Sequence, residues 1–541
     1  MVFTLQRYIF RELLKIFILA TIALTLILSL GGILRPVQEY GVGMRQVLHI
    51  LLYFMPITMT FVLPMAALFA AALTYGRFAS DNELDACRAS GIGISTLMYP
   101  GLILAILVAI ANLLLSFHVM PYFVRLAERS LKADAKQILF RNIQRHGYCS
   151  LPPNERYVIY ADYADAKTDT LYGIIVIESS AEGLRRIITC ESAQVSFNAR
   201  DRFNEVLLTT HNTRQLRGLD DAWVVENEAA SFRVEFGSLL GDDIKFKKIN
   251  EMKQIRANLM LFDPVAKAAH EAYMQLAAEL LAQDIRAKLG TSASGFYQLD
   301  GTSQTVRFSA AGCALETEPV VSLRPPVTVE EYAKQPAKPS RKFRCEKAVL
   351  YLDDSVPAAA STSSAVPQLY LQLSNAKVLD TGQSVIHHAV SGLVMPEFVT
   401  QALNRAPVLQ VVAPANVSLV LEGPPSPKLA SLQAALDRQA RGTLIDITGE
   451  IHSRLVFGIG CIPMILIGIG LGIFKRGGHL LSAFGASCVP GAVLVVAIIS
   501  GRQVAGNTRW ADATPGVLIM WGGLAFLLLL AAGIYARLLR H

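Results

Sequence analysis

Asp81, Glu83 and Asp85 set three carboxylates within five residues of the stretch SDNELDACRASGIG, residues 80–93, and Arg88 follows one turn later. Acids at this spacing make charge-assisted contacts to a partner when a helix carries them. Ser80 with Glu83 three residues on reads as a capping box, and Gly91 supplies a stop, so the spacing predicts a helix over 81–90. Two readings stay open. In one the helix only connects its neighbours and Glu83 satisfies backbone N–H groups; in the other it is a coupling helix seated in a partner protein.

Catalysis is not expected of this chain. It holds no G-x-x-x-x-G-K-[ST] phosphate loop, and the glycines of GIGLGIFKRGG lie in or beside an apolar helix rather than between a strand and a helix. No H-E-x-x-H, no G-x-S-x-G and no Cys/His ligand cluster occurs, so no metal and no cofactor is expected. Energy for any work must come from elsewhere.

The elements that would position the acidic stretch are membrane helices. The chain has 541 residues, 52% hydrophobic and 17% charged, with a mean hydropathy of +0.39. Six apolar runs reach the ~20 residues that cross a bilayer core: 16–34, 47–75, 97–119, 455–474, 480–500 and 517–535. The first is too long for a signal peptide and lacks an evident cleavage site, and it reads as a retained helix. Pro56 and Pro64 predict a kink or tilt in the second. Lys and Arg concentrate in short cytoplasmic loops. Arg7, Arg11, Lys15, Arg77, Arg88, Lys475, Arg476, Arg537 and Arg540 fall on one side, and Arg35, Arg45, Arg502 and Arg509 on the other. Both termini and the acidic stretch are therefore expected inside, and everything between the third and fourth helices outside. That insert, residues 121–454, carries 37 of the 50 basic and 37 of the 43 acidic residues, so its net charge is zero and the +7 belongs to the membrane part. A nucleic-acid partner would call for a basic ectodomain or tail, and none is expected.

Within the insert, alternation of period two predicts strands. SFRVEF places Phe232, Val234 and Phe236 on one face, and QLYLQL does the same with Leu369, Leu371 and Leu373. Further strands are expected at 157–160, 171–177, 206–209 and 417–421, and many short strands read as a sandwich or jelly roll. The apolar faces either line a lipid conduit or fill a closed core. Asp263, Pro264 and Gly290 bracket a helical insertion over 264–289, and "KQPAKPSRK" and "SVPAAASTSSAVP" are low-complexity loops. His387 and His388 are adjacent, so they face opposite ways on a strand and read as structural. Cys149, Cys190, Cys313 and Cys345 form two disulfides or stay as four thiols. Arg35 and Arg45 near the outer end of the first helix, and Arg502 past the fifth, either anchor the helices at the interface or bind anionic lipid headgroups.

Several stretches resemble one family. RFASDNELDACRASGIGISTLMYPGL is similar to the signature after the second helix of LptF/LptG (YjgP/YjgQ) permeases, and EIHSRLVFGIGCIPMILIGIGLGI to their E-x-H-x-R entry into the fourth helix. LQRYIFRELLKIF and PYFVRLAERSL also resemble that family. The resemblance covers about 1–145 and 446–541, is weaker over 146–260 and is essentially absent over 261–440. It implies an α-helical inner-membrane protein of six transmembrane helices, three plus three, around a large periplasmic β-sandwich or jelly-roll domain. Helices one to three would occupy 1–120, the β domain 121–450 and helices four to six 451–541. It further implies a permease subunit of an ABC transporter that extracts lipopolysaccharide and passes it to a periplasmic bridge. The implied partners are a cytosolic ABC ATPase dimer, a second LptF/LptG-like permease, an LptC/LptA-like bridge protein and the glycolipid itself. By the motif match Glu83 is the acid that docks into the ATPase. Two alternatives remain: a permease for another lipid or a lipoprotein, and a non-transporting envelope scaffold or sensor.

Overall fold

Lipid offers the backbone no hydrogen-bond partner, so long apolar runs must close their hydrogen bonds internally as helices. The computed structural model describes residues 2–40, 44–133, 135–151, 157–180, 183–199, 204–217, 223–236, 243–291, 295–301, 304–316, 319–333, 339–353, 367–379, 381–474, 480–506 and 513–538. Five helical stretches are long and apolar enough to cross a membrane: Phe3–Gly32, Leu51–Ser80, Ile94–Ala127, Pro427–Phe474 and Thr514–Leu538. Val489–Ala505 is a shorter apolar helix. The chain is thus a membrane protein with an inserted β portion, and it divides into two compact units, Met1–Met252 with Ile445–His541, and Lys253–Leu444.

In the first unit α1 (Val2–Tyr40) and α2 (Met44–Ser80) are followed by the short α3 (Glu83–Ala89) and by α4 (Ile94–Leu114). A π-helical turn, Leu115–Val119, runs into α5 (Met120–Ala133), and α6 (Ala135–His146) leads into the sheet. Strands β1 (Tyr148–Leu151), β2 (Tyr157–Asp165), β3 (Thr170–Ser180), β4 (Gly183–Ala199), β5 (Asn204–Arg217) and β6 (Trp223–Phe236) form one antiparallel meander in chain order. Its apolar face, with Ile159, Leu171, Val176, Ile188, Val195, Val206 and Leu208, is buried together with Leu139, Phe140 and Ile143 of α6. A 3-10 turn, Ile244–Phe246, and α7 (Ile249–Ala257) follow the sheet.

The second unit starts with α8 (Asp263–Thr291), buried without interruption from Ala272 to Ala282. Strands β7 (Tyr297–Asp300), β8 (Gln304–Ser309), β9 (Gly312–Leu315), β10 (Val320–Arg324), β11 (Val327–Ala333), β12 (Arg341–Cys345), β13 (Lys347–Asp353), β14 (Gln368–Val378) and β15 (Ser384–Leu393) form a nine-stranded sheet. β12 and β13 pair with β14 in a single register, Phe343 opposite Val378 and Lys347 opposite Ser374, so they are two halves of one strand bent at Glu346. α8 packs on β7, β9 and β10. Leu369, Leu371 and Leu373 are fully buried, which answers their alternation with a packed core. Three short helices follow, α9 (Glu397–Leu403), α10 (Val408–Val411) and α11 (Pro414–Val420). The strand expected at 417–421 is therefore a helix: Pro414 pre-sets the first helical turn, and Val417 is its buried side chain.

The last helices are α12 (Pro427–Phe474), α13 (Leu480–Ala505) and α14 (Thr514–Leu538). Small residues bring their backbones close, as membrane helices require where no hydrophobic effect drives them together. A Cβ on Gly468 would stand 2.6 Å from the Leu68 carbonyl oxygen, and one on Gly472 would stand 2.8 Å from that of Ala72. A Cβ on Gly516 would collide with the Gly501 carbonyl oxygen, so α14 lies close against α13 there. Of the two readings of Cys149, Cys190, Cys313 and Cys345, the structure has the four thiols: all are free, as are Cys87 and Cys461. Burial pushes the Cys149, Cys190 and Cys345 thiols up to about 11.

Candidate functional site

Two places gather the residues that could do work. The first is α3. Leu84, 7% exposed, drops into an apolar cluster with Ile9, Leu13, Phe78 and Leu97, and Cys87 one turn later packs on the same cluster. This i, i+3 pair gives α3 one seated face. Asp81 and Glu83 are exposed and have no side-chain partner among the described residues, Asp85 is half-buried, and Arg88 is exposed in the last turn. Below α3, Arg77 donates to Glu12 Oε1 at 3.1 Å and lies 5.5 Å from the Phe78 ring centroid, tying the end of α2 to α1. Sequence reasoning missed Glu12, whose signal is a lone acid in the basic stretch RYIFRELLK.

The capping box predicted here is absent. Ser80 still belongs to α2, and its Oγ donates to the Arg77 carbonyl at 2.9 Å. Asn82 is the N-cap, at φ +59° and without a side-chain cap bond, so Glu83 is released from any capping duty. The stop at Gly91 is as expected: its φ is +80°, and its N–H donates to the Arg88 carbonyl at 2.9 Å.

The second place is a buried ionic node on α12, where the sequence reads Glu450-Ile-His452-Ser-Arg454. Arg454 Nε donates to Glu450 Oε1 at 2.8 Å, one helical turn away. Its two amino groups reach three backbone carbonyls, Ser116 at 3.1 Å, Lys245 at 2.8 Å and Lys247 at 3.3 Å, and the guanidinium stands 5.6 Å from the Phe117 ring centroid. The π-helical turn takes Ser116 out of the regular i to i+4 ladder and lets it accept from outside. His452 Nδ1 accepts from Trp521 Nε1 of α14 at 3.3 Å. Arg502, near the end of α13, lies with its amino group 2.7 Å from Glu450 Oε2. The lipid candidate Arg502 is thus turned towards an acid of its own chain. Burial raises the Asp243 carboxyl, but hydrogen bonds from the Lys245 N–H and Nζ outweigh it and hold the group below the usual carboxylate range.

Arg35 and Arg45 lie on α1 and α2, and their side chains fall outside the described residues, as does that of His387. The side chains of Phe232, Val234 and Phe236 do too. Their backbone register is described: Phe232 stands opposite Leu208 and Val234 opposite Val206, both buried, and Phe236 opposite Asn204. Cross-strand partners share a face, so 232 and 234 belong to the apolar face of the sheet. His388 bonds Glu331 and stacks on Phe343, a structural role. A half-open depression of about 310 Å³ beside α6 is lined by Lys136, Asp169, Gln194, Val195, Ser196 and Thr209, and this polar lining does not suit an acyl chain. No group of three or more metal-ligating side chains occurs among the described residues.

No curated protein matches the chain in sequence. A family model, described as lipopolysaccharide export system permease LptF/LptG, matches residues 7–273. That span takes in the first helices, α3 with its acids, the six-stranded sheet and the Asp243–Lys247 segment that meets Arg454. The chain is a member of the LptF/LptG family of lipopolysaccharide export permeases.

Proposed function

We propose that this chain is a half-transporter of an ABC-type exporter, set in a bacterial inner membrane with both termini and α3 in the cytoplasm and the β portions in the periplasm. It takes lipopolysaccharide or a related lipid A-type glycolipid from the membrane and hands it to a periplasmic bridge. ATP hydrolysis belongs to a separate cytosolic ATPase dimer, and a second LptF/LptG-like permease completes the membrane part. With Val489–Ala505 counted as a span, the helices divide three plus three around the insert.

One observation carries this reading. α3 is seated by Leu84 and Cys87 while it turns Glu83 and Asp81 outward without partners among the described residues. A connector needs no seated face, whereas a coupling helix must be fixed from below to transmit force. Arg35, Arg45 and Arg502 remain the headgroup candidates, and Phe232, Val234 and Phe236 the candidates for the acyl chains. The test is purification in mild detergent followed by mass spectrometry of bound subunits and lipids. An ATPase and a phosphorylated glycolipid are expected in the wild type, and Glu83→Gln should lose the ATPase. A stable homo-oligomer holding only bulk phospholipid would replace this reading with that of a scaffold.

A further inference from the structure

The node on α12 joins segments that the export reading leaves unconnected. Arg454 is 3% exposed and Glu450 6%, and a buried charge of this kind persists only when fully partnered. Arg454 meets that demand through Glu450 and three carbonyls that belong to two other segments: the π-helical turn after α4, and the stretch 245–247 by which the chain returns from the six-stranded sheet. A planar fork is the side chain that can hold carbonyls in several directions at once.

Arg502 is held differently. It is 41% exposed, and although it lies 2.7 Å from Glu450 Oε2, that oxygen has no aligned hydrogen-bond donor. Asp243 and Asp446 also lie within its electrostatic reach. Arg502 can therefore exchange one carboxylate for another at little Coulombic cost, while Arg454 is held by four partners at once. The helix pair on either side of α13 stays fastened without it, because Trp521 and Tyr535 of α14 donate to His452 and to the Leu466 carbonyl of α12.

We propose that Glu450 and Arg454 are positioning residues of the export path: Arg454 is a fixed clamp that fastens the segment returning from the β sheet to the membrane helices, and Glu450 with Arg502 is a releasable tie on the outer end of α13. The inference rests on the export reading, and it assigns the residues that hold and free α13.

The test uses the full chain in its purified membrane complex, with nitroxide labels at Gln503 and Tyr122, both exposed. Pulsed dipolar spectroscopy should give one principal distance at rest and a second, longer population under ATP turnover. Arg502→Gln should show the longer population without nucleotide, and Arg502→Lys, which keeps the charge, should restore the resting distribution. A resting distribution in Arg502→Gln, or a Lys variant that behaves like Gln, overturns the tie. Hydrogen exchange reads the clamp: Arg454→Lys, with one cationic head for three carbonyls, should speed exchange at 244–248 about tenfold. Phe117→Leu, which keeps every charge, should give a smaller rise at the same amides. Unchanged protection in both overturns the clamp. These readouts need no transport, so a releasing tie in a chain that moves no glycolipid would sink the export reading alone. A static tie in an active exporter would sink this inference alone.

Discussion

Leu84→Ala tests whether α3 transmits force because it is seated or only because it is charged. Leu84 is 7% exposed at the rim of its cluster. Removing three buried carbons costs about 2–3 kcal/mol, the low end of the Leu→Ala range, since a rim site can partly collapse. Seven residues cannot stay helical on their own, so that loss falls on the docking of α3 itself. Local opening should rise about 30- to 140-fold. The amides to watch are those of Ala86, Ser90 and Ile92, which donate to Asn82, Ala86 and Cys87 carbonyls. Hydrogen exchange of the purified complex should show them accelerated, and ATPase association should weaken although Asp81, Glu83, Asp85 and Arg88 are all still present. Glu83→Gln should do the opposite, leaving exchange unchanged because no cap bond is lost, while association weakens. If Leu84→Ala left exchange unchanged, Leu84 would not be the seat. If exchange rose and the ATPase still bound fully, α3 would not be the coupling element.

Gly468→Leu should destabilise the α2–α12 contact by about 1–3 kcal/mol, because its Cβ would press on the Leu68 carbonyl and a backbone cannot move aside; thermal unfolding in detergent should show the drop. Cys149, Cys190, Cys313 and Cys345 should resist thiol reagents in the native protein and react fully after denaturation without reductant, a result that an oxidised pair would contradict. Asp243 has a folded carboxyl pKa below its unfolded value, so its contribution is fully present above the unfolded value and is lost as pH falls through the folded one. Protection of the Lys245 amide, which donates to Asp243 at 3.0 Å, should therefore fall on that acid limb, and Asp243→Asn should flatten the dependence.

What the sequence discloses depends on how far apart the deciding residues are. Apolar runs and the alternation of SFRVEF and QLYLQL are local, and the helices and strands at those places follow from them. The supposed capping box failed because a four-residue pattern cannot report that α2 continues through Ser80, a fact decided by the packing of Tyr75 and Phe78 in the apolar cluster. The valine-rich 417–421 offered the same burial to a strand or to a short helix, and Pro414 settled the matter from outside the window. The exposure of Glu83 was legible because it follows from a local run of charged residues. Arg454 was visible as part of a pattern but without a task, since its carbonyl partners lie 338, 209 and 207 residues away in the chain.

Helix α8, packed on β7, β9 and β10, bears on how the chain is made. It is buried from Ala272 to Ala282, yet it is not among the stretches apolar enough to span. Its interior mixes alanines with Leu276, Leu280, Leu281 and Ile285, and it carries Gln275, Glu279 and Asp284 into the core. Each is answered locally: Gln275 donates to Glu279, Ser426 caps Glu279, and Tyr297 donates to Asp284. During synthesis α8 emerges before any strand of its sheet, into machinery that sorts each helix by its affinity for lipid, where an acid costs about 2.5–3.5 kcal/mol at mid-bilayer. A core helix of leucine and isoleucine would be retained there and would reverse every later segment. With the insert in the periplasm, as proposed, the buried acids would act before folding, as the mark by which the membrane lets this helix pass.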